Sequence, residues 1–307
     1  MQTPINPVHA LFMRVLNQPK FAWVVSFVLA CFDMTAWLAL SIVCLIILRK
    51  GVQSAWNLMC AVFVCHGLSL YWFHPQSMSW INAALDMLPA YIGAVALYHT
   101  RSWYMASLYM LLMLLVVLLG MDKFLPNAAD VQLNQLMMSA KDLSTQITFP
   151  LKLVEQAIQS NRGFCAHLVI GMQMLSVVFN AIISLTMARS IQSQLFYPQG
   201  FLKEMLGLRG CRWLLLSVVL SIGIVLGSGW LFPLYLLPTL LFYFFCVGLS
   251  VGVSALSKNR TQIVFLVLTA ASIFLPYIFV PVYVVVGAMD SFVNFRHFLA
   301  KRVKYTF

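Results

Sequence analysis

The sequence predicts an all-α, polytopic transmembrane helical bundle of about eight membrane segments, from its composition, its long apolar stretches and the placement of its basic residues. Of 307 residues, 62% are hydrophobic and only 9% are charged. Ordinary soluble domains carry roughly a quarter charged residues, so a chain this poor in charge has lipid as the solvent for most of its length.

A spanning helix needs about 20 apolar residues, because backbone amides in hydrocarbon must be satisfied within the helix and each residue rises ~1.5 Å. Eight stretches meet or approach that length: 21–48, 56–73, 80–97, 103–120, 165–188, 213–229, 231–256 and 262–287. Trp23, Trp80, Trp103 and Trp213 lie near their edges, where an amphipathic ring suits the headgroup zone. The first and last stretches are overlong: about 28 residues would make a straight helix of ~42 Å against a core of ~30 Å. Asp33 sits midway along the first, and Pro276 and Pro281 interrupt the last, so each is expected to be bent, re-entrant or a hairpin. Arg14 and Lys20 precede an apolar run far longer than a signal-peptide core, so the first segment is expected to remain in the mature protein.

Between 121 and 164 the connecting loop is charge-balanced, whereas 189–212 has Arg189, Lys203, Arg209 and Arg212 against Glu204 alone. Retention of basic residues on the cytoplasmic side puts 189–212 inside, together with Arg49/Lys50, Arg101 and Lys258/Arg260, and 121–164 outside. The basic termini, 1–20 with Arg14 and Lys20, and the tail 288–307 with Arg296, Lys301, Arg302 and Lys304, are also expected inside, which requires the end segments to double back. The chain thus divides into an N-terminal segment, helical groups 21–120 and 165–287, and the tail. The net charge of +11 marks a cytoplasmic face that attracts anionic lipid, and no nucleic-acid partner is expected. In the outer loop, apolar residues from Val131 to Ile158 recur at helical period, with Pro150 dividing two amphipathic helices that lie on the membrane or cover a cavity.

Ionisable groups within a span are costly and are site candidates by default. They are Asp33, His66, Asp86 and, near an outer edge, His167; Asn180 joins them as a polar group. His66 and Asp86 lie on successive segments that a hairpin would pair, as a ligand or proton site or as a structural interhelical hydrogen bond. Ala22, Ser26 and Ala30 stand four apart, as do Gly223/Gly227 and Gly248/Gly252, and each set is a packing surface within the bundle or towards a partner. The seven cysteines form no CxxC pair and read as buried thiols rather than a disulfide or zinc framework. No nucleotide, hydrolase or metalloprotease motif is present, and eight acidic residues leave little for acid–base chemistry, so no enzymatic activity, cofactor or metal is expected.

Two stretches, ARSIQSQLFYPQGFLKEMLGLRG at 188–210 and VVVGAMDSFVNFRHFLAKR at 284–302, resemble the YybS-like bacterial membrane proteins, the domain-of-unknown-function 2232 family. The family's ARWWQ, NPGGF and LR are matched in form by Pro198, Gly200, Phe201 and Arg209, with Gln199 where a glycine is usual. Its GLxDxWxxxR is matched by Gly287, Asp290 and Arg296, with Phe292 for the usual Trp, and its LRRG by Leu48-Arg49-Lys50-Gly51. That family is similar in organisation to the substrate-binding S components of energy-coupling-factor vitamin importers. The resemblance therefore implies small-molecule uptake across a bacterial inner membrane, docking on an ATPase module, and a coupling-subunit contact through Ala22/Ser26/Ala30. Asp290 and Arg296 are six apart, on different faces of an ideal helix, which leaves Asp290 as an anchor for a tail helix.

The leading expectation is a substrate-binding or transport subunit with an outer cavity between helices. Its rival is a membrane scaffold or assembly factor whose basic loop and tail bind cytoplasmic protein or lipid; that reading expects a filled core.

Overall fold

The structure, a computed structural model, describes residues 7–73, 79–125, 127–144, 156, 158–198, 200–256 and 261–293. Among the described residues there is no strand, and the chain is all-α. It forms two compact units: Met1–Leu114 with Ser176–Met205, and Leu115–Leu175 with Leu206–Phe307. Among the described residues, five helices are long and apolar enough to cross a membrane: Val52–Phe73, Ser79–Thr100, Trp103–Phe124, Arg162–Phe196 and Leu237–Leu256.

In the first unit α1 (Pro7–Asn17) leads into α2 (Pro19–Ala30), which opens on a proline whose missing N–H is one the first turn leaves unpaired in any case. Phe32 is extended, a 3₁₀ turn covers Asp33–Thr35, and α3 (Ala36–Lys50) follows. The Thr35 hydroxyl donates to the Leu29 carbonyl at 2.7 Å, closing the turn, and Lys50 Nζ donates to the Leu16 carbonyl, tying the far ends together. The predicted 21–48 segment is therefore a helical hairpin, and at twelve and fifteen residues its arms span only ~18 and ~22 Å.

Residues 39–48 of α3 are buried without interruption, which fits a helix apolar on every side. It packs on α2, α4 (Val52–Phe73) and α5 (Ser79–Thr100). Gly51, with φ of +89°, makes the sharp turn into α4 that an L side chain would strain. The face Ala22/Ser26/Ala30 is buried where α2 meets α3 and α4, so the chain's own helices occupy it. Trp23, Phe27 and Val28 on the opposite face are exposed, as lipid contact requires.

Helix α6 (Trp103–Phe124) starts on its tryptophan, and α7 (Ala128–Ser144) is the first of the expected amphipathic outer helices, with Ala129 and Leu133 inward. Pro150 lies outside the described residues. Helix α8 (Arg162–Phe196) is much longer than the expected 165–188 span, so Arg189 stands on a helix rather than in a loop. The short α9 (Gly200–Leu206) follows.

In the second unit, α10 (Arg212–Ser228) has seventeen residues, ~26 Å, at the lower limit for a crossing. A 3₁₀ turn at Phe232–Tyr235 precedes α11 (Leu237–Leu256). The predicted 262–287 segment is two helices, α12 (Thr261–Phe274) and α13 (Pro276–Asp290), broken at Leu275, the residue Pro276 forces from helical geometry. Pro281 lies inside α13 without ending it. Of the roughly eight expected segments, with bent or hairpin ends, five are full-length helices among the described residues, and the hairpin, α10, α12 and α13 are shorter apolar elements.

Helices α11 and α13 cross at glycine: a Cβ on Gly248 would overlap the Tyr283 carbonyl, and one on Gly287 the Phe244 carbonyl. Gly223 and Gly227 on α10 face open space. The expected four-residue spacing marks real packing at one site and an uncovered surface at the other.

Candidate functional site: a histidine–aspartate pair between two membrane helices

The α4–α5 connection returns the chain antiparallel, bringing His66, seven residues before the end of α4, level with Asp86, seven after the start of α5. His66 Nε2 lies 3.5 Å from Asp86 Oδ2; the imidazole is 1% exposed and the carboxylate 35%. Neighbouring Gly67 admits the Trp80 ring so closely that a Cβ there would overlap it, and Trp80 in turn meets Phe63 at 5.9 Å between ring centres. The histidine is thereby sealed within the helix packing while the carboxylate keeps a route outward.

Charge-assisted hydrogen bonds run at about 2.7–2.9 Å, so the pair is an electrostatic contact rather than a closed bond. Neither ring nitrogen of His66 has a hydrogen-bond partner among the described residues, and the buried Ser26 hydroxyl is likewise unpartnered. An unmet buried polar group costs roughly 1–3 kcal/mol. The arrangement is an incomplete polar site: a donor–acceptor ring and a carboxylate, close but unfinished, in an apolar setting.

On another face of α4 a groove of about 660 Å³ runs between α2 and α4, lined by Phe27, Cys31, Cys65, Leu68, Ser69 and Trp72 among others. Its few polar atoms are engaged locally: Ser69 Oγ donates to the Cys31 carbonyl at 2.6 Å, and Cys65 Sγ to the Phe27 carbonyl at 3.6 Å. Of the other sequence candidates, Asp33 is exposed at the hairpin turn, and Asn180 is half-buried on α8, its carbonyl accepting Ser184 Oγ. No described contact joins either to the His66–Asp86 pair. His167 stacks on Tyr235 at 4.9 Å, with Nδ1 2.8 Å from the Gly163 carbonyl, a packing role in the first turns of α8. Burial, then the Asp122 charge, raises the Tyr235 phenol above its ordinary value.

A second polar centre, unforeseen in sequence, joins α8, α9 and α6. Arg189 forks onto Glu204, with Nε to Oε2 at 2.9 Å; Trp103 Nε1 donates to the same carboxylate at 3.1 Å, and Arg189 Nη1 donates to Gln192. Gln192 continues to the Leu48 carbonyl at 3.1 Å. Burial pushes the Glu204 carboxyl up, but the hydrogen bonds from Arg189 and Trp103 and the Arg189 charge outweigh it, and it titrates below its ordinary value. The clue in sequence was that Glu204 is the one acid among the bases of 189–212.

Of the residues that carry the resemblance, Pro198 and Arg209 lie in the connections around α9, Gly200 and Phe201 open α9, and Gly287 and Asp290 lie at the end of α13. Pro198 lies between α8 and α9, where Ser193 Oγ donates to the Tyr197 carbonyl and accepts from the Phe201 N–H, while Phe201 meets Trp103 edge-on. Gly200 N donates to the Tyr197 carbonyl at 2.9 Å. In the second unit the Arg209–Gly210 stretch meets the end of α13. Tyr243 Oη donates to the Arg209 carbonyl at 2.7 Å, Arg212 Nε to the Ser291 carbonyl at 3.1 Å, and Gly210 N faces Asp290 Oδ2 at 3.5 Å. A Cβ on Gly210 would overlap Ser291 Oγ, so the contact needs a glycine. Asp290 thus holds the 208–212 turn; Arg296 and the expected tail helix lie outside the described residues. No three His, Cys, Asp or Glu side chains gather as a metal site among the described residues. No family model, no curated protein and no solved structure matches the chain.

Proposed function

We propose that the chain is a substrate-binding or transport subunit of a bacterial inner membrane, taking a small, vitamin-like molecule from the outer side at the site centred on His66 and Asp86. The observation that carries this reading is the sealed imidazole of His66, without a hydrogen bond, facing a carboxylate that retains access. Buried polar groups normally find partners, and an intramembrane pair left incomplete is suited to receiving a polar ligand group or a proton. The basic residues at Arg49/Lys50 and Arg101 put the opposite ends of α4 and α5 in the cytoplasm, hence the pair in the outer half. The resemblance of 188–210 and 284–302 to the YybS-like family, and through it to importer S components, agrees with an energy-coupling ATPase partner, and the basic residues of both ends favour termini inside.

Native purification in mild detergent, followed by mass spectrometry of bound small molecules and co-purifying proteins, tests this. A ligand retained by the wild type and lost from His66→Ala and Asp86→Asn, with an ATPase module alongside, is the expected result. A ligand absent from all three, with a ribosomal or envelope protein captured instead, overturns it in favour of a membrane scaffold. The scaffold reading has its own support in the filled α3 core and in the fixed basic end of the first unit, where Arg189 is clamped by Glu204 and the Arg49 guanidinium lies 3.9 Å from the Phe196 ring centre.

A further inference from the structure

The sulfurs of Cys31 and Cys65, thirty-four residues apart in sequence, lie 3.3 Å from each other across the α2–α4 contact. A disulfide bond is ~2.05 Å, so about 1.3 Å of approach separates this contact from a covalent link. The backbones that carry the two thiols are held together independently by Ser69 Oγ, which donates to the Cys31 carbonyl at 2.6 Å, while the Cys65 thiol itself reaches the Phe27 carbonyl one turn before Cys31. Both cysteines also line the 660 Å³ groove, which gives a co-reactant a path to them. Cys31 ends α2 and is partly exposed, whereas Cys65 is buried.

We propose that Cys31 and Cys65 form a reversible disulfide, a redox modification site that staples the α2–α3 hairpin to α4. The oxidant is a disulfide-bearing reagent or oxidoreductase reaching the groove. The Cys31 thiolate attacks one sulfur of that disulfide, forming a mixed disulfide and releasing one thiol; the Cys65 thiolate then displaces the second thiol. The two protons lost by the cysteines leave on the two released thiols, the pair is oxidised by two electrons, and the external disulfide is reduced by two. The expected topology points the hairpin turn towards the outer side, where such exchange partners operate. Cys65 precedes His66, so the bond fixes the α4 turn that carries the imidazole as well as the width of the groove. This inference stands apart from the proposed ligand, since it concerns the thiols alone.

The full-length protein in lipid nanodiscs, treated with the membrane-permeant aromatic disulfide 4,4′-dithiodipyridine, then denatured, alkylated with N-ethylmaleimide and digested, tests it by mass spectrometry. The expected product is a pair of peptides joined through Cys31 and Cys65, two hydrogen masses below the two thiol peptides together, with neither of these cysteines carrying a pyridylthio group or maleimide, and converted by dithiothreitol to two free thiols that a second alkylation labels. Persistence of a pyridylthio adduct or maleimide on either cysteine, or linkage of either to another cysteine, overturns the proposal. The oxidised wild type is also expected to melt higher than the reduced protein, a shift absent in Cys31→Ser. A linked protein with no such shift overturns the stapling.

Discussion

At the scale of single residues, His66 and Asp86 form a polar pair between two apolar helices, 3.5 Å apart. Interhelical hydrogen bonds in bilayers average about 0.6 kcal/mol and reach about 1.7, so a double-mutant cycle with His66→Leu and Asp86→Leu, read by thermal or chemical unfolding, is expected to give a coupling within that range. A pair serving function rather than stability will lose bound ligand far more steeply than it loses melting temperature. Glu204 makes a separate prediction. Its carboxyl titrates below its ordinary value, so its contribution is fully present above the unfolded-state value of about 4.3 and is lost as pH falls through the lower folded-state value. Wild type is therefore expected to melt above Glu204→Gln at neutral pH, with the two curves converging on acidification. Parallel curves at all pH values would detach stability from this charge. The His66–Asp86 pair was legible in sequence, because ionisable groups inside apolar stretches are rare enough to single out. The Glu204 clamp was not, because its partners Arg189 and Trp103 come from separate helices and each has an ordinary reason to sit near a membrane edge.

At the scale of elements, a proline divides one apolar stretch into two helices and a local hydrogen-bonded turn divides another. The 231–256 and 262–287 stretches look alike in hydropathy, but only the second has a proline that forces its predecessor, Leu275, out of the helix. The hairpin was harder to read, since no proline or glycine breaks 21–48. Its turn rests on the extended Phe32 and on the Thr35 hydroxyl taking the Leu29 carbonyl, local bonds that hydropathy does not register. Spacing alone also failed to separate Gly248 from Gly223, which the fold treats in opposite ways. Gly248→Ala forces α11 and α13 apart and is expected to destabilise by ~1–3 kcal/mol, the usual cost of overpacking. Gly223→Ala meets open space and is expected to be neutral or to stabilise by up to ~1 kcal/mol through helix propensity. Melting of the two variants in the same detergent checks the pair; equal effects would remove the crossing from the account.

At the scale of the whole molecule, composition alone made the all-α membrane class legible, while the number of crossings depended on details the composition averages away. The orientation is directly measurable. In a background where native cysteines are replaced, Gln135→Cys on the exposed side of α7 is expected to react with an impermeant maleimide from outside intact cells, and Arg101→Cys only after permeabilisation; the reverse pattern inverts the assignment. The hairpin carries a consequence for how this chain enters its membrane during synthesis. Arms of about 18 and 22 Å are each too short to be accepted as a stop-transfer sequence, so neither is stable in lipid until the other arrives. The hairpin of α2 and α3 is therefore expected to partition as one unit, with α4 emerging behind it to cover Ala22, Ser26 and Ala30. Lengthening the turn between the arms would then impair biogenesis before it impaired the finished fold, appearing as loss of membrane-integrated protein rather than as a lower melting temperature.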